Sequence, residues 1–293
     1  MKIALFGQNL NLNYLNSVET ILESAKKNNC ELYIYKNFLE FLSNHIKIDP
    51  KINIFESYND IKGNIDYLIS LGGDGTLLKA ITLVRDSNIP IFGVNTGRLG
   101  FLSSITKEEI KDCFEKLINK NYSIETRTLL RLESDTQMFG SENFALNDFT
   151  IQKEASGSMI KIDVEINNEF LNSYWADGLI VSTPTGSTAY SLSCGGPILM
   201  PYTNNFIITP ISPHNLNVRP LVVSDNDIFT FKAETRNECL IATLDNRTIK
   251  IKSPFNFKII KENFKINLIK INNISFLKTL QTKLMWGYDN RNI

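Results

Sequence analysis

Five largely apolar residues, Tyr67-Leu-Ile-Ser-Leu71, run straight into Gly72-Gly73-Asp74-Gly75-Thr76, and this junction constrains the fold more than any other stretch. The apolar run is that of a buried strand. Three glycines within four positions then make a turn nearly devoid of side chains. Leu77, Leu78, Ile81 and Val84 follow at helical spacing, so the turn joins a strand to an amphipathic helix. Such a turn aims backbone N–H groups and a helix N-terminus at one point, which is a place for a phosphate. Asp74, the one carboxylate in the turn, would stand beside that phosphate as a proton acceptor or as a ligand for its magnesium. A purely structural reading stands next to this one. Gly-rich turns end many parallel strands, and Asp caps nearby N–H groups. The turn is neither common nucleotide signature: the dinucleotide fingerprint would need Gly or Ala where Leu78 stands, and no G-x-x-x-x-G-K-[ST] occurs.

The 293 residues are enough for two domains, and 43% hydrophobic with 21% charged residues describes a globular chain. Formal net charge is zero, with no basic run longer than a pair such as Lys26-Lys27. Counterion-release binding to nucleic acid and attraction to an anionic membrane are therefore not expected. The start, Met1 to Gly7, meets Gln8-Asn9 too soon for a signal peptide, and no apolar segment approaches membrane-spanning length. Cys30, Cys113, Cys194 and Cys239 are far apart, without a C-x-x-C pair, and only His45 and His214 are present. That argues against a zinc site and for reduced thiols in the cytoplasm.

Along the chain, Lys2–Gly7 reads as a strand, and Leu15, Val18, Leu22 and Ala25 share one helical face. Glu31–Tyr35 reads as a second strand, followed by a short helix around Phe38–Leu42 and a mixed connection to Ile65. Ile89–Val94 is another buried strand. Thr106 with Glu109 makes a capping box for a helix that puts Ile110, Phe114, Leu117 and Ile118 on one side. Strand–helix alternation of this kind implies a parallel sheet. After about Asn121 the character changes. Arg127–Glu133, Phe144–Ile151, Ile160–Asn167, Gly178–Ser182, Phe206–Pro210, Ile228–Ala233, Leu240–Leu244, Thr248–Lys252 and Phe264–Ile271 are strand-like. Turn residues such as Asn167-Asn168 separate them. The division is an α/β domain over 1–125 and a β-rich domain over 126–274, with a C-terminal helix in 275–293 returning to the first.

The longest polar, small-residue stretch of the β-rich part is Asp177-Gly178 through Thr183-Pro-Thr-Gly186-Ser-Thr-Ala-Tyr-Ser-Leu-Ser193 to Gly195-Gly-Pro197. A strand ends at Thr183-Pro184, Gly186 turns the chain, and Ser187 or Thr188 caps a short helix that Gly195-Gly196-Pro197 stops. Hydroxyls at 182, 183, 185, 187 and 188 are ordinary turn and cap chemistry. They also make a donor-rich floor for a sugar or amide, with Tyr190 as an aromatic wall.

Together these segments resemble the bacterial NAD kinase family. The resemblance rests on Gly72-Gly-Asp-Gly-Thr76, Asn95-Thr-Gly-Arg-Leu-Gly-Phe-Leu102, Asn147-Asp148, Thr183 to Ser193, Gly195-Gly-Pro197, Pro210-Ile-Ser-Pro-His214 and Arg219-Pro220. The G-G-D-G-[TS] piece also occurs in diacylglycerol and sphingosine kinases and in phosphofructokinases, so T-P-T-G-S-T-A-Y is the discriminator. The resemblance implies a Rossmann-like α/β domain plus a β-sandwich-like domain, with the active site in the cleft between them. It implies transfer of the ATP γ-phosphoryl to the 2′-hydroxyl of the adenosine ribose of NAD. ATP would arrive with Mg2+, and no permanently bound cofactor is expected. By match to the family's motifs, Asp74 is the proton acceptor, with Gly75 beside it, and Gly72, Gly73, Gly75 and Thr76 hold ATP phosphates. Asn147, Asp148, Asp177 and the run Thr188, Ala189, Tyr190, Ser191, Leu192, Ser193 contact NAD. Lys79, Ser158, Trp175 and Arg247 align with further contacts. The family more often has a basic or imidazole side chain near 158 and 175, and Gln at 247. That leaves Ser158 and Trp175 to backbone contact or packing, and Arg247 to a different job.

The implied partners are NAD and ATP, without nucleic acid or membrane, in a homo-oligomer (dimer or tetramer). A lipid kinase of the diacylglycerol or sphingosine type is the alternative from the same chemistry, and a non-catalytic NAD-binding module the alternative from another class. His214 reads as a structural hydrogen-bonder. Asp74→Asn is expected to remove the proton acceptor while leaving stability nearly unchanged.

Overall fold

Tyr67–Leu71 is a strand with all five residues buried, and it lies inside a parallel sheet. The computed structural model describes residues 1–293 except 9, 97–99, 104, 106–108, 155–157, 237, 272–274 and 287–293. The chain divides into two units: Met1–Thr126 with the C-terminal stretch from Ile266, and Arg127–Lys265. No described helix is long and apolar enough to cross a membrane.

The first unit contains β1 (Lys2–Gly7), β2 (Glu31–Tyr35), β3 (Asn53–Phe55), β4 (Tyr67–Leu71) and β5 (Ile91–Val94). They pair in parallel in the order β5-β4-β1-β2-β3. The helices between them are α1 (Leu15–Lys27), α2 (Lys36–Ser43), α3 (Tyr58–Ile61) and α4 (Asp74–Val84), and α5 (Ile110–Ile118) follows β5. Parallel strands need such crossovers, and both faces of the sheet are then available for helices to cover. Val18, Ile21 and Ala25 of α1, Phe38 and Leu42 of α2, and Cys113, Phe114 and Leu117 of α5 enter one core with Ile3, Leu5, Ile69 and Phe92 of the strands. The strand order reverses between β1 and β4, whose last residues, Gly7 and Leu71, are register partners. Ligands of open α/β sheets bind beyond the strand ends at such a reversal. The Gly-rich turn begins at the next residue.

The mixed connection before Ile65 holds two elements not anticipated, β3 and the single-turn α3. Ser57 and Asp60 form a reciprocal capping box at the start of α3. The capping box anticipated at Thr106 and Glu109 falls on residue 106, outside the described residues; Glu109 is the N-cap of α5 and makes no side-chain cap bond. The C-terminal helix runs Phe276–Leu284, with the Ser275 hydroxyl accepting from the Lys278 N–H at 3.2 Å.

The second unit is β-rich. One antiparallel sheet has the order Leu221–Ser224, Asn205–Ile211, Gly178–Ser182, Asp148–Lys153, Cys239–Leu244, Arg247–Lys252. The other runs Glu169–Ala176, Ile160–Ile166, Phe229–Glu234, then residues 255–259 of the strand Phe255–Lys270. Alternate residues of both sheets meet in one core. Ile160, Ile162, Val164, Phe229, Phe231 and Phe257 come from one sheet, and Phe149, Ile151, Leu179, Val181, Phe206 and Leu240 from the other. The Phe149 and Phe257 rings stand 4.9 Å apart across it. This is the period-two patterning of a two-sheet sandwich. Two of its strands, Glu169–Ala176 and Leu221–Ser224, are not anticipated by the sequence pattern, and the strand expected over Phe264–Ile271 begins nine residues earlier, at Phe255.

Candidate active site

Gly72 has φ 155°, and a Cβ there would run into the Thr76 side chain, so this residue must be glycine for the turn to close on the helix. Its N–H donates to Val94 O at 3.0 Å and its carbonyl accepts from Thr96 N at 3.3 Å, which fastens the turn to the end of β5. Gly73 is the extended N-cap of α4, without a side chain to fill the space over the helix end. The first turn of a helix leaves N–H groups without intrahelical acceptors, and the helix dipole there favours an anion. Thr76 lies in that turn. Lys79 is exposed one turn after Gly75, and helical side chains lean toward the N-terminus.

Asp74, the first residue of α4, is partly buried. Its carboxylate accepts three backbone N–H bonds from one neighbouring segment: Phe101 N to Oδ2 at 2.8 Å, Leu102 N to Oδ1 at 3.2 Å and Ser103 N to Oδ1 at 3.1 Å. Gly100 packs so closely that a Cβ would overlap this carboxylate. A carboxylate offers about four lone-pair positions. Three are taken by the amides, and the remaining one is on Oδ2.

In the second unit, Asn147 and Asp148 open the strand Asp148–Lys153. A pocket of about 310 Å³ is lined by both, with Thr150, Gln152, Ala189, Tyr190, Thr243 and Asp245. The Asn147 backbone is fully used: its carbonyl accepts from Thr183 N at 2.9 Å, and its N–H donates to Asp245 Oδ1 at 2.7 Å. Its carboxamide makes no hydrogen bond among the described residues. Asp148 is 5% exposed. Burial, with a smaller push from the Asp245 charge, raises its carboxyl to about 7. Among the described residues its one side-chain partner is the Thr150 hydroxyl at 3.4 Å.

The Thr183–Ser193 segment forms a 3-10 turn, Gly186–Thr188, and a one-turn helix, Tyr190–Ser193. The cap expected from Ser187 or Thr188 is not made. Ser187 Oγ instead donates to Pro184 O at 2.7 Å and accepts from Leu199 N at 3.0 Å, while Thr188 Oγ1 donates to Thr185 O at 3.2 Å. Ser182 Oγ donates to Thr183 O, Thr183 Oγ1 to Leu146 O, and Ser191 shares a bond with Thr209 Oγ1 at 2.8 Å. These short side chains reach carbonyls three residues back more readily than a helix end beyond them. The donor-rich floor is therefore mostly bonded to its own backbone. Gly186 lies on the Asn147 carbonyl, where any Cβ would overlap it. Ala189 and Tyr190 are the two residues of the run that face the pocket.

Other candidates sit elsewhere. Asp177 is ion-paired with Lys153, Oδ1 to Nζ 2.6 Å. Trp175 is 48% exposed, and its carbonyl accepts from His214 N at 2.8 Å, a structural role for that loop. Ser158 is exposed. Ser191 is buried, Leu192 half-buried and Ser193 exposed, and none of the three lines the pocket. The Arg247 guanidinium donates to the carbonyls of Glu142 and Phe144 and stacks over the Phe144 ring, a different job from the one its alignment suggested. Asp245, absent from the sequence reading, holds three amides beside the pocket. The Asp245-Asn246 turn joins Leu244 to Arg247, and it reads as an ordinary hairpin until the strands are paired. Among the described residues no three metal-ligating side chains cluster.

Two family models match: the ATP-NAD kinase N-terminal domain over residues 14–122 and the ATP-NAD kinase C-terminal domain over residues 146–271. The NAD kinase of Cytophaga hutchinsonii is 45% identical over 293 residues, covering 100% of both chains. That of Flavobacterium psychrophilum is 46% identical, again over 100% of both. Among solved structures, an Archaeoglobus fulgidus NAD kinase in complex with ATP has a TM-score of 0.77 and 25% identity, covering 97% of this chain and 99% of its own. Yeast NADH kinase complexed with NADH has a TM-score of 0.89 at 24% identity, covering 99% and 88%, a likeness of fold.

Proposed function

Because the chain belongs to the NAD kinase family, we propose that it transfers the γ-phosphoryl of ATP to the 2′-hydroxyl of the adenosine ribose of NAD, giving NADP and ADP. The observation that carries this reading is the Asp74 carboxylate, fixed by three amides in the first turn of α4 with one Oδ2 lone pair left over. Phosphoryl transfer passes through a loose transition state, so the protein mainly positions the two oxygens and neutralises charge. The acceptor hydroxyl loses its proton late, and a carboxylate within hydrogen-bond reach suffices to take it. Asp74 Oδ2 takes that proton. The glycine turn of Gly72, Gly73, Gly75 and Thr76 receives the ATP phosphates at the open end of α4, with Lys79 adding positive charge. The Gly72 and Thr76 N–H groups are already donated to Val94 O and Gly73 O. Mg2+ enters on the phosphate oxygens as part of the nucleotide substrate.

NAD is held by Asn147 and Asp148, which line the pocket together with Ala189 and Tyr190. Asp177, Thr188, Ser191, Leu192 and Ser193 are the further NAD contacts that the match to the family's motifs implies. Ser158 and Trp175, both exposed, act through backbone or packing. The protein works in the cytoplasm, where its four cysteines, none disulfide-bonded, stay reduced. It assembles as a dimer or tetramer; Phe170 and Trp175, 61% and 48% exposed on an edge strand, support an interface there. The deciding experiment incubates purified protein with NAD, ATP and Mg2+ and scores NADP with a coupled NADP-specific dehydrogenase. Formation of NADP that requires all three is expected. None formed by folded protein would refute the reading.

A further inference from the structure

The segment that carries Asn147 and Asp148 is irregular; Thr183 takes the carbonyls of Leu146 and Asn147, and much of the remaining backbone is satisfied from two positions on the hairpin Cys239–Leu244 and Arg247–Lys252. Successive amides of Leu146, Asn147 and Asp148 all donate to the Asp245 carboxylate: Leu146 N to Oδ2 at 2.9 Å, Asn147 N to Oδ1 at 2.7 Å and Asp148 N to Oδ1 at 3.3 Å. The Asp245 N–H returns a bond to Asp148 O at 2.9 Å. Two residues on, Arg247 donates to the carbonyls of Glu142 and Phe144. Its Nη2 stands 3.9 Å from Asp245 Oδ2 and its Nη1 3.7 Å from the Glu142 carboxylate. Carbonyls near the start of the segment thus face a cation and amides at its end face an anion. Three consecutive N–H groups make a concavity that binds an anion, and here the protein's own carboxylate fills it. The Asp245 side chain is only 3% exposed, so these bonds are shielded from water.

We propose that Asp245 and Arg247 form a clasp that sets the orientation of Asn147 and Asp148, making both positioning residues for the NAD-binding half of the reaction. This rests on the assignment of Asn147 and Asp148 to NAD. With the amides fixed, the Asn147 carboxamide and Asp148 carboxyl have one direction in which to meet a ligand. Without the clasp, the segment would hydrogen-bond water and sample several.

Asp245 sits at φ 53°. Asn tolerates that region as well as Asp does, so Asp245→Asn removes the charge without straining the turn. The full-length protein, its Asp245→Asn variant and its Arg247→Gln variant are compared in two ways. Hydrogen exchange of the 146–148 amides, without substrate, reads the clasp directly. Protection in the parent protein and its loss in both variants, with the sheet strands still protected, is expected. Steady-state kinetics then read its use: NAD KM should rise roughly tenfold in Asp245→Asn, with ATP KM within about twofold. A role in stability alone would lower the active fraction and spare both KM values, and that result overturns positioning. Fast exchange at 146–148 in the parent protein overturns the clasp. Unchanged exchange in Arg247→Gln with a raised NAD KM makes Arg247 a direct contact and overturns its part. A parent protein without NADP formation refutes the functional reading, a failure that the exchange data alone would not produce.

Discussion

Asp74→Asn tests the chemistry and the geometry of the glycine turn together. Removing a general base typically costs about 10²–10⁴ in rate, so kcat should fall by at least the lower figure. The structure adds a second effect that turn chemistry alone does not suggest. Oδ1 accepts from Leu102 and Ser103 and Oδ2 from Phe101. An Asn can keep only one oxygen. If that oxygen replaces Oδ1, its NH2 group faces the Phe101 N–H at the 2.8 Å position, donor against donor. One charge-assisted bond is lost and the other two weaken to neutral ones. Leaving a partly buried N–H unsatisfied costs about 1–3 kcal/mol, so the first unit should melt a few degrees lower, contrary to the expectation of unchanged stability. The assay is kcat with saturating NAD and MgATP at 25 °C, well below the transition, alongside a melt followed by circular dichroism. A variant that melts lower yet keeps kcat within about tenfold of the parent would refute the proton-acceptor role. Asp74 would then be only the anchor for residues 101–103.

Gly100→Ala places a methyl on the Asp74 carboxylate and should lower kcat by up to about 10² through misplacement; parental kcat would show that the carboxylate's position is not critical. Asn147→Ala should raise NAD KM far more than ATP KM, since Asn147 lines the pocket and its carboxamide has no protein partner among the described residues; equal effects on both would remove it from the NAD site. Asp148 is raised from an ordinary carboxyl value to about 7 in the folded protein. The folded state therefore binds its proton more tightly than the unfolded one, and stability is greatest below about pH 4 for this group and falls as pH rises toward 7. Buried Asp245, also raised, adds the same sign, so Asp148→Asn should reduce the slope of stability against pH over that window without abolishing it; an unchanged slope refutes the assignment. Thiol titration in denaturant without reductant should count four groups, with Cys113, fully buried and pushed up to about 11, the slowest to react in the native protein. A count of two would mean a disulfide.

The parts of the fold that were legible in the sequence are those whose pattern is local. The buried strand, glycine turn and amphipathic helix at 67–84 follow from composition and spacing alone. So do most strands of the second unit, whose alternation matches a sheet with one buried face. The strand Glu169–Ala176 escaped because a register shift between Phe170 and Asn172 breaks its alternation and leaves Phe170 and Trp175 exposed. The Asn167-Asn168 turn before it, with both residues at positive φ, was the available signal for a hairpin. Leu221–Ser224 escaped as a four-residue edge strand without a fully buried residue. In the site, Asp74, Asn147 and Asp148 stand out by residue type within recognisable motifs. Asp245 does not, because its role depends on three amides 97 to 99 positions earlier. Arg247 could be placed by alignment but not understood, since its partners are carbonyls more than 100 residues away.

The hydroxyls of Ser182, Thr183, Ser187, Thr188 and Ser191 are all bonded within the protein before any ligand arrives. Their rotors are frozen at folding. Ordering a mobile side chain on association costs about 0.5–1.5 kcal/mol, and these bonds hold the segment that presents Ala189 and Tyr190 to the pocket before any such cost arises. A dinucleotide with many flexible bonds has a large entropy of its own to lose. A surface that is already rigid leaves that loss on the ligand's side alone.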